Sequence, residues 1–173
     1  VNGTAVLSTD PELCARFEMA GKLPACVIVV TVEAAYFQCS RAVVRADLSD
    51  EAAVRRLVPQ AFAALGPLRV LVNNASVFED DRLGGLSRES WDRHMETNLR
   101  SPIVLAEAFA AQGGEGAIVN LLDQKVLKPD PRFFSYSLSR NGLWWATRTL
   151  AQALAPRVRV NGVGPGPTLA SVH

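Results

Sequence analysis

Tyr136 and Arg140 stand four residues apart in Phe-Ser-Tyr-Ser-Leu-Ser-Arg. On a helix, positions i and i+4 share one face a turn apart, so a phenol would sit beside a fixed cation. A free phenol titrates near ~10, and a neighbouring positive charge lowers that value, so the pair has the makings of a proton donor. A Tyr and an Arg at this spacing also occur by chance on a helix with no chemistry to do. What sets this pair apart is its company: Asp47, the run Asn73-Asn74-Ala75-Ser76, Asn98, Asp123 and Pro165-Gly166.

Those residues need a frame. From about residue 42 the chain alternates short apolar runs with helix-like stretches. Residues 42–46 read as a strand ending at Asp47. Ser49-Asp50 is a capping pair that opens a helix over Glu51–Leu65, with Gly66-Pro67 as its stop. Pro59 is expected to bend or break that helix. Residues 68–72 form a second strand. Ser87 caps a long helical stretch to Gln112, with a kink expected at Pro102 and glycines 113, 114 and 116 closing it. A third strand covers 116–122, a helix covers 135–155 up to Pro156, and a fourth strand starts at 158–160 before a rigid turn over 162–167. Strands apolar on both faces, alternating with helices, predict the α/β class: a Rossmann-like three-layer fold, mostly parallel sheet with helices on both faces, and incomplete. In such sheets ligands bind beyond the carboxyl ends of the strands, where Asp47, residues 73–76, Asp123 and Pro165-Gly166 all fall.

The 173 residues suit one domain, with 1–41 atypical and 42–170 regular. In the atypical part, 27–32 reads as a strand and 12–20 as a short helix, capped by Asp10 or Thr9 with Pro11 in its first position. Its glycines are Gly3 and Gly21, so no G-x-G-x-x-G turn is there to bring a dinucleotide pyrophosphate to a helix N-terminus. With 49% hydrophobic and 20% charged residues, the chain can build a core and is not disordered. A net charge of +1 without a basic block argues against nucleic acid or an anionic membrane as partner. The longest apolar run, 25–30, is far below the ~20 residues of a membrane helix. No basic stretch leads an apolar one at the N-terminus, so no signal peptide is evident. Cys14, Cys26 and Cys39 are odd in number and fit no metal spacing, which reads as reduced thiols in a cytoplasmic protein. His94 and His173 are too few and too distant for a metal site, and His94 reads as a helix-surface residue.

Taken together, these motifs over about 42–170 resemble the short-chain dehydrogenase/reductase family. Most members have Ser thirteen positions before the Tyr; here that position is Asp123. Asp123, Asn-Asn-Ala-Ser followed by Phe78 where most members have Asn-Asn-Ala-Gly, and Asn161-Gly162-Val163-Gly164-Pro165-Gly166 resemble the pteridine-reductase-like branch. The resemblance implies hydride transfer from NADP(H), with NAD(H) left open, to a C=N or C=O bond of a pterin-type substrate. Tyr136 would donate the proton, with Asp123 bonding to it or relaying the proton; a plain turn residue is the rival reading of Asp123. Asn98 would hold a water in the relay or tie elements together. Asp47 and Leu48 would contact the adenine; Asn73, Asn74, Ala75 and Ser76 would line the ribose and nicotinamide side. Pro165, Gly166 and Thr168 would close over the carboxamide. Phe78 would stack on the substrate, or else belong to the core. The family often pairs the Tyr helix and the one before it between subunits, implying a homodimer or tetramer, although Trp144 and Trp145 read more simply as core aromatics.

Two features depart from the family pattern. Arg140 replaces a Lys that binds the nicotinamide ribose hydroxyls and lowers the Tyr pKa; Arg keeps the charge but is a bulkier planar fork that cannot release a proton near neutrality. The glycine-rich turn is missing, and the chain stops soon after the fourth strand, which reads as a fragment or a disrupted N-terminal region. Losing the cradle, at ~1 kcal/mol or more per charge-assisted bond, would weaken cofactor binding by orders of magnitude. Two rivals therefore stand beside the pterin reductase: a non-catalytic relic serving as a binding or dimerisation module, and a reductase of another carbonyl substrate.

Overall fold

A computed structural model describes residues 2–8, 10–15, 27–34 and 47–165. They fall into two compact units that divide between Ala42 and Val43. In the first, β1 (Asn2–Ser8) pairs antiparallel with β2 (Val27–Ala34), and the short helix α1 (Pro11–Ala15) follows β1. Asp10 caps α1 as expected, its Oδ1 accepting from the Glu12 amide at 2.8 Å. Residues 16–20 of the expected helix and the strand expected at 42–46 lie outside the described residues.

The second unit carries the α/β pattern. Helix α2 (Glu51–Leu65) begins at Asp50, whose Oδ1 accepts from the amides of Ala52 at 2.9 Å and Ala53 at 3.2 Å. It ends at Gly66, where φ is 78°, a left-handed value that glycine adopts without Cβ strain. The helix runs unbroken through Pro59, which is exposed: the carbonyl that loses its amide partner there is on the solvent side, where the loss is cheapest. Strands β3 (Val70–Asn73), β4 (Gly116–Leu121) and β5 (Val158–Val163) form a parallel sheet in the order β3-β4-β5. Asn73 pairs with Asn120, and Asn120 with Gly162, so the three carboxyl ends lie level. The turn expected from Gly162 starts later, because Gly162 and Val163 still find ladder partners in Asn120 and Leu121.

The helical stretch after Ser87 is interrupted. Helix α3 (Arg88–Met95) passes into a π turn over Glu96–Arg100 before α4 (Ser101–Ala111). Pro102 has no amide to offer the carbonyl four residues back, at Asn98, and the wider turn absorbs that mismatch. Helix α4 is apolar on nearly every side and serves two core clusters: Ala106 and Phe109 meet Ile118, Val158 and Val160, while Val104 and Leu105 meet Val54 and Val58 of α2.

Helix α5 (Phe134–Leu154) buries Tyr136, Arg140, Leu143 and Thr147, a stripe at helical spacing. Gly142 lets it approach the π turn; a Cβ there would stand 2.8 Å from Leu99 Cδ2. Trp144 and Trp145 fall off the buried stripe and are 37% and 66% exposed, so the core reading of both is corrected. Among the described residues no helix is long and apolar enough to cross a membrane.

Candidate active site

The carboxyl edge of the sheet collects the polar residues. Asp123 follows β4 and caps a 3-10 turn over Gln124–Val126, its Oδ1 accepting from the Lys125 amide at 2.8 Å. Its Oδ2 accepts from the Tyr136 hydroxyl at 2.7 Å. Asp123 is half-buried rather than buried, and both its oxygens act as acceptors.

Tyr136 is 4% exposed. Its pKa is pushed up to about 12, first by burial and next by the hydrogen bond to Asp123; the Arg140 charge acts in the lowering direction and is outweighed. The proton-donor pair inferred from spacing is therefore present in space, but the phenol holds its proton more tightly than the spacing suggests.

Arg140 is 4% exposed, with its guanidinium carbon 5.4 Å from the Tyr136 ring centre. Nη1 donates to the Leu121 carbonyl at 3.0 Å, at the end of β4. Nε is buried without a partner among the described residues. A charged donor buried without a partner costs stability.

Asn98, in the π turn, is fully buried. Its Oδ1 accepts from the Val77 amide at 2.8 Å, while Nδ2 donates to the Val77 carbonyl at 2.8 Å and to Ser139 Oγ at 3.2 Å. It thus clamps the segment after β3 to α5, the tying role, with both amide hydrogens committed. At the first residue past the turn, the Ser101 hydroxyl donates to the Leu48 carbonyl. One helical segment therefore anchors both 47–48 and 76–77. Asp47 is exposed, its Oδ1 accepting from the Ser49 amide at 2.9 Å and hydroxyl at 2.7 Å, which holds its carboxyl below the usual range.

Of residues 73–76, Asn73 is 7% exposed and commits its Nδ2 to Asn120 Oδ1 at 2.7 Å. Asn120 Nδ2 donates in turn to Thr147 Oγ1 at 2.9 Å, so a buried amide ladder links β3, β4 and α5. Asn74, Ala75 and Ser76 are exposed, as is Pro165; Gly166 and Thr168 lie outside the described residues.

Phe78 is 38% exposed, stacked on Phe133 with centroids 4.3 Å apart and edge-on to Tyr136 at 4.7 Å. Lys125 Nζ lies 4.6 Å from the Phe133 ring centre and 3.2 Å from Asp130 Oδ2. Phe78 thus stacks on Phe133 and meets the tyrosine edge-on, and it keeps a partly exposed ring.

Three residues escaped sequence reading. His94 is fully buried, not on the helix surface: its Nδ1 lies 2.7 Å from Ser135 Oγ, and its ring meets Tyr136 edge-on at 5.9 Å. Asp81, 4% exposed, accepts from the Ser135 amide at 3.1 Å. A usable signal existed: His94 stands four residues before Asn98, so a helix that turns Asn98 inward turns His94 inward as well.

Comparison with known proteins bears on the family of the chain. The family model described as short chain dehydrogenase matches residues 25–173. A probable galactose dehydrogenase from Rhizobium meliloti is 38% identical over 128 residues, which cover 71% of this chain and 50% of that protein. Among solved structures, FolM alternative dihydrofolate reductase 1 from Brucella canis, complexed with NADP, shares 52% identity with a TM-score of 0.69, covering 73% of this chain and 52% of that one. A blue fluorescent protein from a metagenomic library, in complex with NADPH, shares 37% identity with a TM-score of 0.67, over 70% and 51% of the two chains. The chain spans about half the length of the relatives it matches.

Proposed function

We propose that this chain, which belongs to the short-chain dehydrogenase family, is part of an NADP(H)-dependent reductase acting on a C=N or C=O bond of a pterin-type substrate. The observation that carries the reading is the 2.7 Å bond from the Tyr136 hydroxyl to Asp123, with Phe78 in ring contact with the same tyrosine. A reduced nicotinamide, when bound, supplies the hydride. Tyr136 stays protonated across the neutral range and so is available as an acid. Asp123, half-buried, orients the hydroxyl and can pass a proton between solvent and the phenol. The Arg140 charge favours the phenolate left after donation, and its unpartnered Nε, buried here, would reach a ribose hydroxyl oxygen if the guanidinium turned toward the cofactor. Asn74, Ala75 and Ser76 would line the ribose and nicotinamide side, with Asp47 and Leu48 toward the adenine and Pro165, Gly166 and Thr168 over the carboxamide. Phe78 suits a flat heteroaromatic ring beside the proton donor.

NADP(H) rather than NAD(H) follows the Brucella and metagenomic relatives, whose structures hold NADP and NADPH. The exposed Trp145 on α5 supports a homodimer or tetramer, and a cytoplasmic setting is part of the same reading.

Fluorescence titration with NADPH, followed by turnover of a dihydropterin, tests the reading. Micromolar binding with turnover that falls about a thousandfold or more in Tyr136→Phe is expected, since the variant loses its acid. No detectable NADPH binding would instead favour a non-catalytic binding module, a reading to which the high Tyr136 pKa and the Arg140 bond to Leu121 lend support. Turnover of quinones or ketoacyl thioesters but not pterins would reassign the substrate.

A further inference from the structure

Behind Tyr136 lies a buried polar cluster that the reductive step leaves unused. Asp81, Ser135 and His94 are 4%, 0% and 0% exposed and come from three separate segments. Ser135 is the second residue of α5, whose N-terminal neighbour Phe133 supplies no side-chain cap. Asp81 takes over that task, its Oδ1 accepting from the Ser135 amide at 3.1 Å. Its Oδ2 accepts from the Ser135 hydroxyl and from the Ser90 hydroxyl, the latter at 3.2 Å.

The tautomer of His94 follows from its partners. The Glu79 amide donates to Nε2 at 3.2 Å, so that nitrogen is the acceptor and the ring proton sits on Nδ1, facing Ser135 Oγ at 2.7 Å. Bond polarity therefore runs from His94 to Ser135 to Asp81. The serine hydrogen points at the carboxylate and not at the imidazole, which is the reverse of what an activated serine nucleophile needs.

The cluster fixes one short segment at both ends. At Asp81 the main chain is also bonded to the start of α5: the Asp81 amide donates to Arg132 O at 2.8 Å, and the Phe134 amide donates to Asp81 O at 3.0 Å. At Val77 the Asn98 clamp holds the other end. Phe78 and Tyr136, which meet at 4.7 Å, are thereby set by the same bonds.

We propose that Asp81, Ser135 and His94 are positioning residues that lock the 77–81 segment onto the first turn of α5 and so aim the Tyr136 hydroxyl at Asp123. The consequence for turnover rests on the reductase reading above, whereas the consequence for the tyrosine itself does not. Removing the Ser135 hydroxyl takes the acceptor from the His94 Nδ1–H and leaves Asp81 Oδ2 with the Ser90 hydroxyl alone; His94 Nδ1, 3.6 Å from that oxygen, is then drawn toward it and the cluster rearranges.

The test uses the full chain labelled with carbon-13 at tyrosine Cζ. It has two tyrosines, Tyr36 and Tyr136, and loss of a signal in Tyr136→Phe identifies the one of interest. At mildly alkaline pH, Ser135→Ala is expected to move the Tyr136 signal and to lower kcat on the order of tenfold or more, with little change in KM for the pterin. His94→Gln, whose carboxamide offers one donor and one acceptor without titrating, is expected to move the signal less than Ser135→Ala does. A Tyr136 signal that stays in place in Ser135→Ala while the melting temperature drops would make the cluster a stabiliser of the fold only, and would overturn the proposal. Should Ser135→Ala not fold, Asp81→Asn, which preserves volume, is read in the same way. Absence of pterin turnover by the unaltered chain defeats the reductase reading alone; an unmoved tyrosine signal defeats the positioning role alone.

Discussion

The tyrosine at the centre of this site is legible in the sequence as a residue but not as a titrating group. Spacing on a helix places Arg140 next to Tyr136, and the guanidinium does act to lower the phenol's pKa. Burial and the Asp123 bond act against it and win, leaving about 12. Spacing reports neighbours along one helix, whereas desolvation depends on every element packed around it. His94 shows the same limit. Forty-one positions separate it from Ser135, so no local pattern announces their contact. Burial pushes the His94 pKa below its usual value; Asp81 and Glu79 pull it up and Arg93 pushes it down further. As pH falls below about 6.5 the unfolded chain takes up a proton that the folded chain refuses, so this residue makes stability fall as the solution is acidified. We expect the urea midpoint to drop between neutral and mildly acid pH, and to drop less in His94→Gln. Equal drops in the two proteins would show that His94 does not contribute.

Elements with local start and stop signals were the readable ones. Helix α2 is bounded as the sequence predicts, from the Asp50 cap to Gly66, because both signals act within a few residues of the end they mark. Asp50→Ala removes an acceptor from two amides and is expected to cost ~1 kcal/mol, measured by denaturant unfolding; a change near zero would mean that water caps the helix as well. Helix α5 is the contrasting case. Its cap, Asp81, lies 54 positions away from Ser135 in sequence, and nothing near Phe133 advertises it. Pro102 marked the right place for a break between α3 and α4, but a proline does not say whether the chain will kink or widen into a π turn. Strand β1, headed by Asn2 and Gly3, lacks the β-branched start that would have revealed it.

At the scale of the whole molecule, alternation of strands and helices was enough to predict the parallel sheet, since strands apolar on both faces must be covered twice. What alternation could not predict was which helix residues remain uncovered. Trp145 follows the buried Leu143 by two positions, which carries it around the helix toward solvent, 66% exposed. An indole so placed, with the Arg148 guanidinium 5.4 Å from its ring, suits a contact with a second copy of the chain. Trp145→Glu is therefore expected to lower the mass measured by light scattering toward that of one chain. An unchanged mass would move the contact elsewhere.

The amide ladder from Asn73 through Asn120 to Thr147 has a consequence for how the sheet finds its alignment. Parallel strands of similar apolar residues can pair in frames shifted by two positions with little loss of apolar contact. Here such a shift would set Asn73 against Ile118 or Leu122 and strand both buried amides, at about 1–3 kcal/mol for each group left unpaired. The two asparagines therefore work as a key cut for one frame. That frame is the one that brings Asn74, Asp123 and the end of β5 to a common edge.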